Sequence, residues 1–193
     1  MYKVFERVCN WNAQRYAQEY NHELTLALLK EEYKEWCEAK TKVEKLDAVC
    51  DITYVAMGAL WKLGDGFVYE KVQHAFLHFE GLLDAEVADP MYLASAFLDD
   101  ATYVEQEDDI WIYHILAVAG SQALCMGLNL EQYEEAMNIV CDSNDSKSIK
   151  KTASDVKAND GDKGAYFVAP EPRLTALLES LTLEDSQCQL QLH

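Results

Sequence analysis

The run Leu46-Asp47-Ala48-Val49-Cys50-Asp51-Ile52-Thr53-Tyr54-Val55-Ala56-Met57-Gly58-Ala59-Leu60 constrains this chain more than any other segment. On a helical wheel its apolar residues face every direction, the pattern of a helix buried on all sides. Two aspartates interrupt it. A buried carboxylate must be paired, neutralised by a proton or bound to a cation, because left charged and alone it is strongly destabilising. Asp47 and Asp51 are four residues apart and share one helix face. Two acids on one buried face call for a cation between them.

A second acidic pair, Glu32 and Glu35, lies just upstream. No glycine or proline falls between Glu23 and Asp51, so one continuous helix is permitted there. Glu35 and Asp47 would then stand about 18 Å apart at about 1.5 Å per residue and could not share an ion. The alternative is a break near Lys40, for which Thr41-Lys42-Val43-Glu44 supplies a capping box ahead of the apolar run. Two antiparallel helices would bring Glu32 and Glu35 to Asp47 and Asp51, an all-oxygen donor set suited to Mg²⁺ or Mn²⁺. Against this, Glu31, Glu32, Glu35 and Glu38 with Lys30, Lys34 and Lys40 also describe an ordinary solvated helix face. The aspartates weigh on the other side, since Asp is a poor helix former and is seldom buried without a partner.

Elsewhere apolar residues recur at three- and four-residue spacing, with only three prolines and eight glycines in 193 residues, which is an all-α pattern. Helices are expected over Val4 to Glu19, Glu23 to Ala39, Val43 to Leu63, Gly66 to Leu83, Met91 to Val104, Asp109 to Met126, Leu130 to Asp142 and Arg173 to Leu181. They form a single helical-bundle domain over residues 1–183, with 64–109 as a helical insertion and 184–193 as a flexible tail. Ser143 to Pro172 turns polar and reads as a loop region, with a short hairpin near Asn159-Asp160-Gly161-Asp162. That stretch also gathers Lys147, Lys150, Lys151, Lys157, Lys163 and Arg173.

The formal net charge of -18 argues against direct binding to nucleic acid or to an anionic membrane, both of which need a basic footprint. An anionic ligand would need a metal or a local basic patch, and the lysine cluster is such a patch. Six cysteines without C-x-x-C spacing read as reduced thiols in a cytoplasmic protein. The most apolar stretch, Ile110 to Met126, is short for a membrane span and carries His114, Ser121 and Gln122. His74 and His78 have the spacing of a helical metal pair, but no third ligand accompanies them. No Glu-x-x-His repeat of a di-metal bundle stands near the acidic pairs, and the thiols of Cys37 and Cys50 have no evident base.

The string Leu28-Leu29-Lys30-Glu31-Glu32-Tyr33-Lys34-Glu35-Trp36-Cys37-Glu38-Ala39, followed by Leu46-Asp47-Ala48-Val49-Cys50-Asp51-Ile52-Thr53-Tyr54-Val55, resembles the signature of the all-α nucleoside triphosphate pyrophosphohydrolases, which include MazG-like enzymes, dimeric dUTPases and phosphoribosyl-ATP pyrophosphohydrolase. Downstream, Ser143-Asn144-Asp145-Ser146-Lys147 resembles the Ser-Asn-x-Ser-Lys element of a bacteriophage-type subgroup, and the Gly-, Lys- and Pro-containing segment from Lys163 to Leu174 is similar to its ending. Two departures stand out. About fifty residues intervene where the subgroup runs almost directly on, and Asp47 sits four before Asp51 where many relatives have Glu three before.

The resemblance implies a Mg²⁺-dependent pyrophosphohydrolase that cleaves a nucleoside triphosphate, or a related phosphoribosyl nucleotide, to the monophosphate and pyrophosphate. Glu32, Glu35, Asp47 and Asp51 would hold the metal, and Glu31 or Glu38 would serve as general base. Ser143, Asn144, Ser146 and Lys147 would contact phosphates, and Tyr54 would pack on the nucleotide. A homo-oligomer, dimer or tetramer, is implied as well. The alternative is a catalytically silent helical module that binds a nucleotide or a protein on the same scaffold.

Overall fold

The computed structural model describes residues 1–80, 90–103, 109–147 and 163–190. Eight α-helices account for most of them: α1 (Tyr2–Ala13), α2 (His22–Glu38), α3 (Lys42–Leu63), α4 (Tyr69–Glu80), α5 (Met91–Asp100), α6 (Ile110–Cys125), α7 (Leu130–Asp145) and α8 (Glu171–Leu190), with a 3-10 turn at Ala101–Tyr103 after α5. Among the described residues there is no strand, and the all-α expectation holds.

The centre of the bundle is α3. Leu46, Val49, Cys50, Ile52, Ala56, Met57 and Leu60 are all buried, and α1, α2, α6, α7 and α8 pack around it. A helix apolar on every side can only sit where neighbours cover every side. A second such helix, α6, is buried from Trp111 through Ala119 except at His114, which stacks on Phe97 of α5. Packing α3 against α6 joins the N-terminal hairpin to the inserted α4 and α5. None of the described helices is by itself long and apolar enough to cross a membrane.

The turn between α2 and α3 is the local event that makes a site possible. The chain breaks at Ala39-Lys40, where Ala39 takes an extended ψ of 131°. Thr41 then caps α3: its hydroxyl accepts from the Glu44 N–H at 3.1 Å, while Glu44 accepts from the N–H groups of Thr41 at 2.9 Å and Lys40 at 2.7 Å. These donors hold the Glu44 carboxyl below its ordinary range. The continuous-helix alternative is excluded and the hairpin forms. At the far end Gly64, at φ 82°, closes α3 in the left-handed conformation that favours glycine. Thr41→Ala is expected to cost about 1 kcal/mol and lower Tm by about 2–4 °C; a thermal melt with unchanged midpoint would contradict the cap's role.

Several helix boundaries differ from expectation. α1 stops at Ala13 rather than Glu19, because the N–H groups of Arg15 and Tyr16 both turn back onto the Asn12 carbonyl at 2.9 and 2.8 Å. α4 begins at Tyr69 rather than Gly66, and its expected end at Leu83 lies outside the described residues. α5 ends at Asp100 and tightens into the 3-10 turn. α8 runs on to Leu190, so residues 184–190 are helical rather than a frayed tail. α7 continues past Asp142 to Asp145 and takes Ser143 and Asn144 out of the expected loop. That last turn is acidic at a helix C-terminus, unfavourable by itself, and Arg7 of α1 offsets it by binding Asp142 and Asp145 at 2.7 Å each. Arg173 of α8 adds a third contact to Asp142 at 2.5 Å. The expected hairpin at 159–162, and Lys150, Lys151 and Lys157, lie outside the described residues.

Candidate functional site

Antiparallel pairing of α2 and α3 matches each step along one helix with a step back along the other. It brings Glu32, Leu28 and Thr25 of α2 to the same cavity as Asp51, Val55 and Gly58 of α3. On α3, Asp51, Tyr54, Val55, Gly58, Ala59 and Lys62 form one stripe at three- and four-residue spacing. That stripe and the facing residues Leu24, Thr25, Leu28 and Glu32 of α2 line a cavity of about 160 Å³. Trp11, Asn12 and Tyr16 from the α1 terminus and Asn144 and Lys147 from the end of α7 complete its lining.

One wall is aromatic. Trp11 meets Tyr54 edge-on, with centroids 5.7 Å apart, and Tyr16 at 5.9 Å. Arg15 covers Trp11 at 4.3 Å and Lys62 covers Tyr16 at 5.2 Å, cation–π contacts that place positive charge around the ring cluster. The Trp11 indole N–H donates to the Asn144 carbonyl at 2.8 Å and so ties α1 to α7 across the cavity mouth. Burial pushes the Tyr54 phenol well above its ordinary value, so it stays a neutral surface. Gly58 makes room for Asn12: a Cβ there would stand 3.2 Å from the Asn12 amide nitrogen.

The cavity lining is also charged. Glu32 is buried, at 4% exposure, and Asp51 is half-buried, both facing the cavity. Asp47 and Glu35 lie one turn farther toward the α2–α3 turn and do not line it. Asp47 Oδ1 is sealed from solvent without a hydrogen-bond partner. Its carboxyl is pushed up to about 7, first by burial, then by the charges of Glu171, Glu32 and Glu35, with Lys147 opposing. Lys147 donates to Asn144 Oδ1 at 2.7 Å. Burial lowers its ammonium, against the raising pull of Asp51, Glu32 and Asp47, and Lys163 lowers it further.

Of the residues expected at the site, Glu32, Asp51, Tyr54, Asn144 and Lys147 thus converge on one cavity, with Asp47 and Glu35 next to it. Others do not. Glu31 and Glu38 are exposed on other faces of α2, and Glu38 faces Lys34 at 3.7 Å; neither lines the cavity, because neighbouring helix positions point about 100° apart. Ser143 is buried outside the lining, where its carbonyl accepts from the Ser146 hydroxyl at 2.6 Å. The Ser146 hydroxyl also accepts from the Val168 N–H at 2.9 Å and pins the segment before α8. That serine is engaged in structure rather than open to a phosphate.

The cavity also holds residues that sequence reasoning passed over. Trp11, Tyr16 and Lys62 read as ordinary core or surface positions, and only the early end of α1, which swings Tyr16 inward, brings them together. Glu171 was masked by its position in a loop-like, proline-flanked stretch; as the first residue of α8 it presses on Asp47.

Among the described residues, no three His, Cys, Asp or Glu side chains are grouped so as to hold a metal ion. The donor chemistry of the acidic cluster nonetheless suits a hard divalent cation. Its members are all carboxylates, the charges of Glu32 and Glu35 raise the proton affinity of Asp47, and Asp47 has a buried oxygen without a partner.

Residues 1–64 match the family model described as phosphoribosyl-ATP pyrophosphohydrolase. The match covers α1 to α3, hence both acidic pairs and the aromatic wall, and supports the all-α nucleoside triphosphate pyrophosphohydrolase superfamily. No curated protein and no solved structure matches the chain significantly.

Proposed function

We propose that this chain, a pyrophosphohydrolase-type protein of the all-α nucleoside triphosphate pyrophosphohydrolase superfamily, hydrolyses a nucleoside triphosphate or related phosphoribosyl nucleotide between the α- and β-phosphates, with a divalent cation, Mg²⁺ or Mn²⁺. The observation that carries this reading is one cavity lined both by the aromatic rings of Trp11, Tyr16 and Tyr54 and by the polar and charged groups of Glu32, Asp51, Asn144 and Lys147.

A planar base would pack against the wall formed by Trp11, Tyr16 and Tyr54, where aromatic contact gives affinity without dependence on one hydrogen-bond pattern. The cavity is smaller than the roughly 300–1,000 Å³ of a whole-ligand pocket, so the phosphates extend from it toward the acidic cluster. Glu32, Asp51, Asp47 and Glu35 would hold the cation, which supplies Lewis acidity toward the phosphates. Lys147 sets a positive charge where the leaving pyrophosphate gathers negative charge, and Asn144 orients that ammonium through its Oδ1. The partial burial of Lys147 strengthens its pull on an anion by removing competing water. A homo-oligomer in which a neighbouring copy completes the cavity accords with its small volume.

The test is a panel of NTPs, dNTPs and phosphoribosyl nucleotides with Mg²⁺ or Mn²⁺, scored by pyrophosphate release. Turnover that stops on chelation is expected. A second reading, a nucleotide-binding module without turnover, is favoured by the lack of a ready-made metal group among the described residues. Tight binding with no pyrophosphate from any member of the panel would establish it in place of the first.

A further inference from the structure

A second, mainly apolar cavity lies on the other side of α3 from the candidate site. About 470 Å³, it is bounded by α3, α4, α6 and the start of α7, with Met57, Phe67, Val72 and Leu116 among its walls. Its size and lining are those of a small-molecule pocket, apolar with a few placed polar groups. One wall is formed by α4, so the inserted segment creates this cavity.

A glycine keeps it open. Gly120 lies inside α6, a helix of buried apolar residues, where alanine would be the better helix former. A Cβ at Gly120 would meet no heavy atom within 4 Å. Steric need among protein atoms therefore does not explain the missing side chain, and the space it leaves belongs to the cavity.

The polar groups say what chemistry fits. Among the described residues no Asp, Glu, Lys, Arg or His lines the cavity, and the Met1 amine at its edge is neutralised by Glu134, so an uncharged occupant is favoured. Three buried hydroxyls line it. Thr53 donates to the Val49 carbonyl at 3.0 Å, so Tyr133 must be the donor in the Thr53–Tyr133 hydrogen bond. Ser121 donates to the Ala117 carbonyl at 2.8 Å. All three of these hydroxyl protons are committed within the protein, which leaves their lone pairs as acceptors, beside the Tyr69 and Gln73 side chains that also line the cavity.

We infer that this cavity is a binding site for an uncharged, mainly apolar small molecule carrying one hydrogen-bond donor, such as an alkyl alcohol or phenol. It is distinct from the nucleotide site and stands whether or not the chain turns nucleotides over. α3 carries both sites, with Thr53 and Met57 on one face and Asp51, Tyr54 and Gly58 on the other.

The probe pair is 4-propylphenol and 4-propylanisole, which share a shape but differ in the donor, titrated against the full chain by NMR. The phenol is expected to bind with a Kd of roughly 0.1–1 mM and to shift the Met57 methyl signal, with the ether about fivefold weaker. Gly120→Leu fills the space and abolishes both, while Gly120→Ala remains folded and binding-competent. Gly120→Val serves if the leucine variant does not fold. Shifts confined to Trp11 and Tyr54, binding that survives Gly120→Leu, equal affinity for phenol and ether, or no binding of either at about 2 mM would each overturn the inference. So would concentration-dependent association that vanishes in Gly120→Leu, which would identify a second copy of the chain as the occupant.

Discussion

Asp51→Asn is expected to lower nucleotide turnover by about 10²–10³-fold while leaving the protein folded and no less stable in metal-free buffer. Asp51 is the acidic residue placed best for both halves of the proposed site: it lines the cavity beside Tyr54, faces the same cavity as Glu32 of α2, and is the leading charge that raises the Lys147 ammonium. The amide keeps its size and helical position but removes a negative charge, so cation affinity falls with little change in packing. It also relieves repulsion among the carboxylates when no cation is present, so the apo melting temperature should hold or rise. This pairing of outcomes separates catalysis from structure. A carboxylate that only props up the hairpin would lower Tm and leave residual turnover in proportion to folded protein. Full turnover in Asp51→Asn would remove the metal assignment altogether, and the pyrophosphohydrolase reading would then have to find another way to neutralise the substrate. Lys147→Met provides the companion measurement: substrate affinity or kcat should fall with the divalent-cation requirement unchanged, because the lysine acts on the phosphates and not on the ion.

How much of this was legible from the chain differs between its two ends, and the physics explains why. The buried helix around Asp51 was readable because wheel-round hydrophobicity has only one stable outcome, and the Thr41 capping box marked its start as a local signal needing no tertiary information. Those two features fix the antiparallel register, hence the meeting of Glu32 with Asp51. The aromatic wall was not readable. Trp11 and Tyr16 lie on a segment whose apolar spacing extends past Ala13, and the turn that redirects Tyr16 is made by two N–H groups sharing one carbonyl, which no side-chain pattern announces. Ser143 and Asn144 read as loop because the composition turns polar there and apolar periodicity stops, and an acidic helix end is unfavourable by local rules. The contacts that hold it, from Arg7 and Arg173, come from more than thirty residues away in one case and from the opposite end of the chain in the other. Tertiary charge overrode local propensity there, and it moved two candidate phosphate-binding residues onto a rigid element.

In metal-free buffer, the stability gap between Asp47→Asn and the unaltered protein is expected to open as pH rises from about 4 to about 7 and to stay constant above that. Asp47 begins near the usual carboxylate range in the unfolded chain and is pushed up to about 7 in the folded one by burial and by Glu171, Glu32 and Glu35. Its folded state therefore holds the proton more tightly. The contribution is present in full below the unfolded value, where both states are protonated, and is lost as pH climbs through the folded value and the buried carboxyl is forced to ionise. The full loss is on the order of a few kcal/mol, softened by relaxation within a coupled acidic cluster. Asparagine cannot ionise, so the variant lacks this loss and becomes the more stable protein at pH 8. Mg²⁺ should reverse the order at pH 8, raising Tm of the unaltered protein by binding the ionised cluster and raising that of Asp47→Asn much less. Parallel melting curves from pH 4 to 8 would mean that Asp47 is solvated in the folded chain. A pH-dependent gap that Mg²⁺ fails to close would mean that the cluster is acidic without being a cation site, and the binding-module reading would then gain the ground that the hydrolase loses.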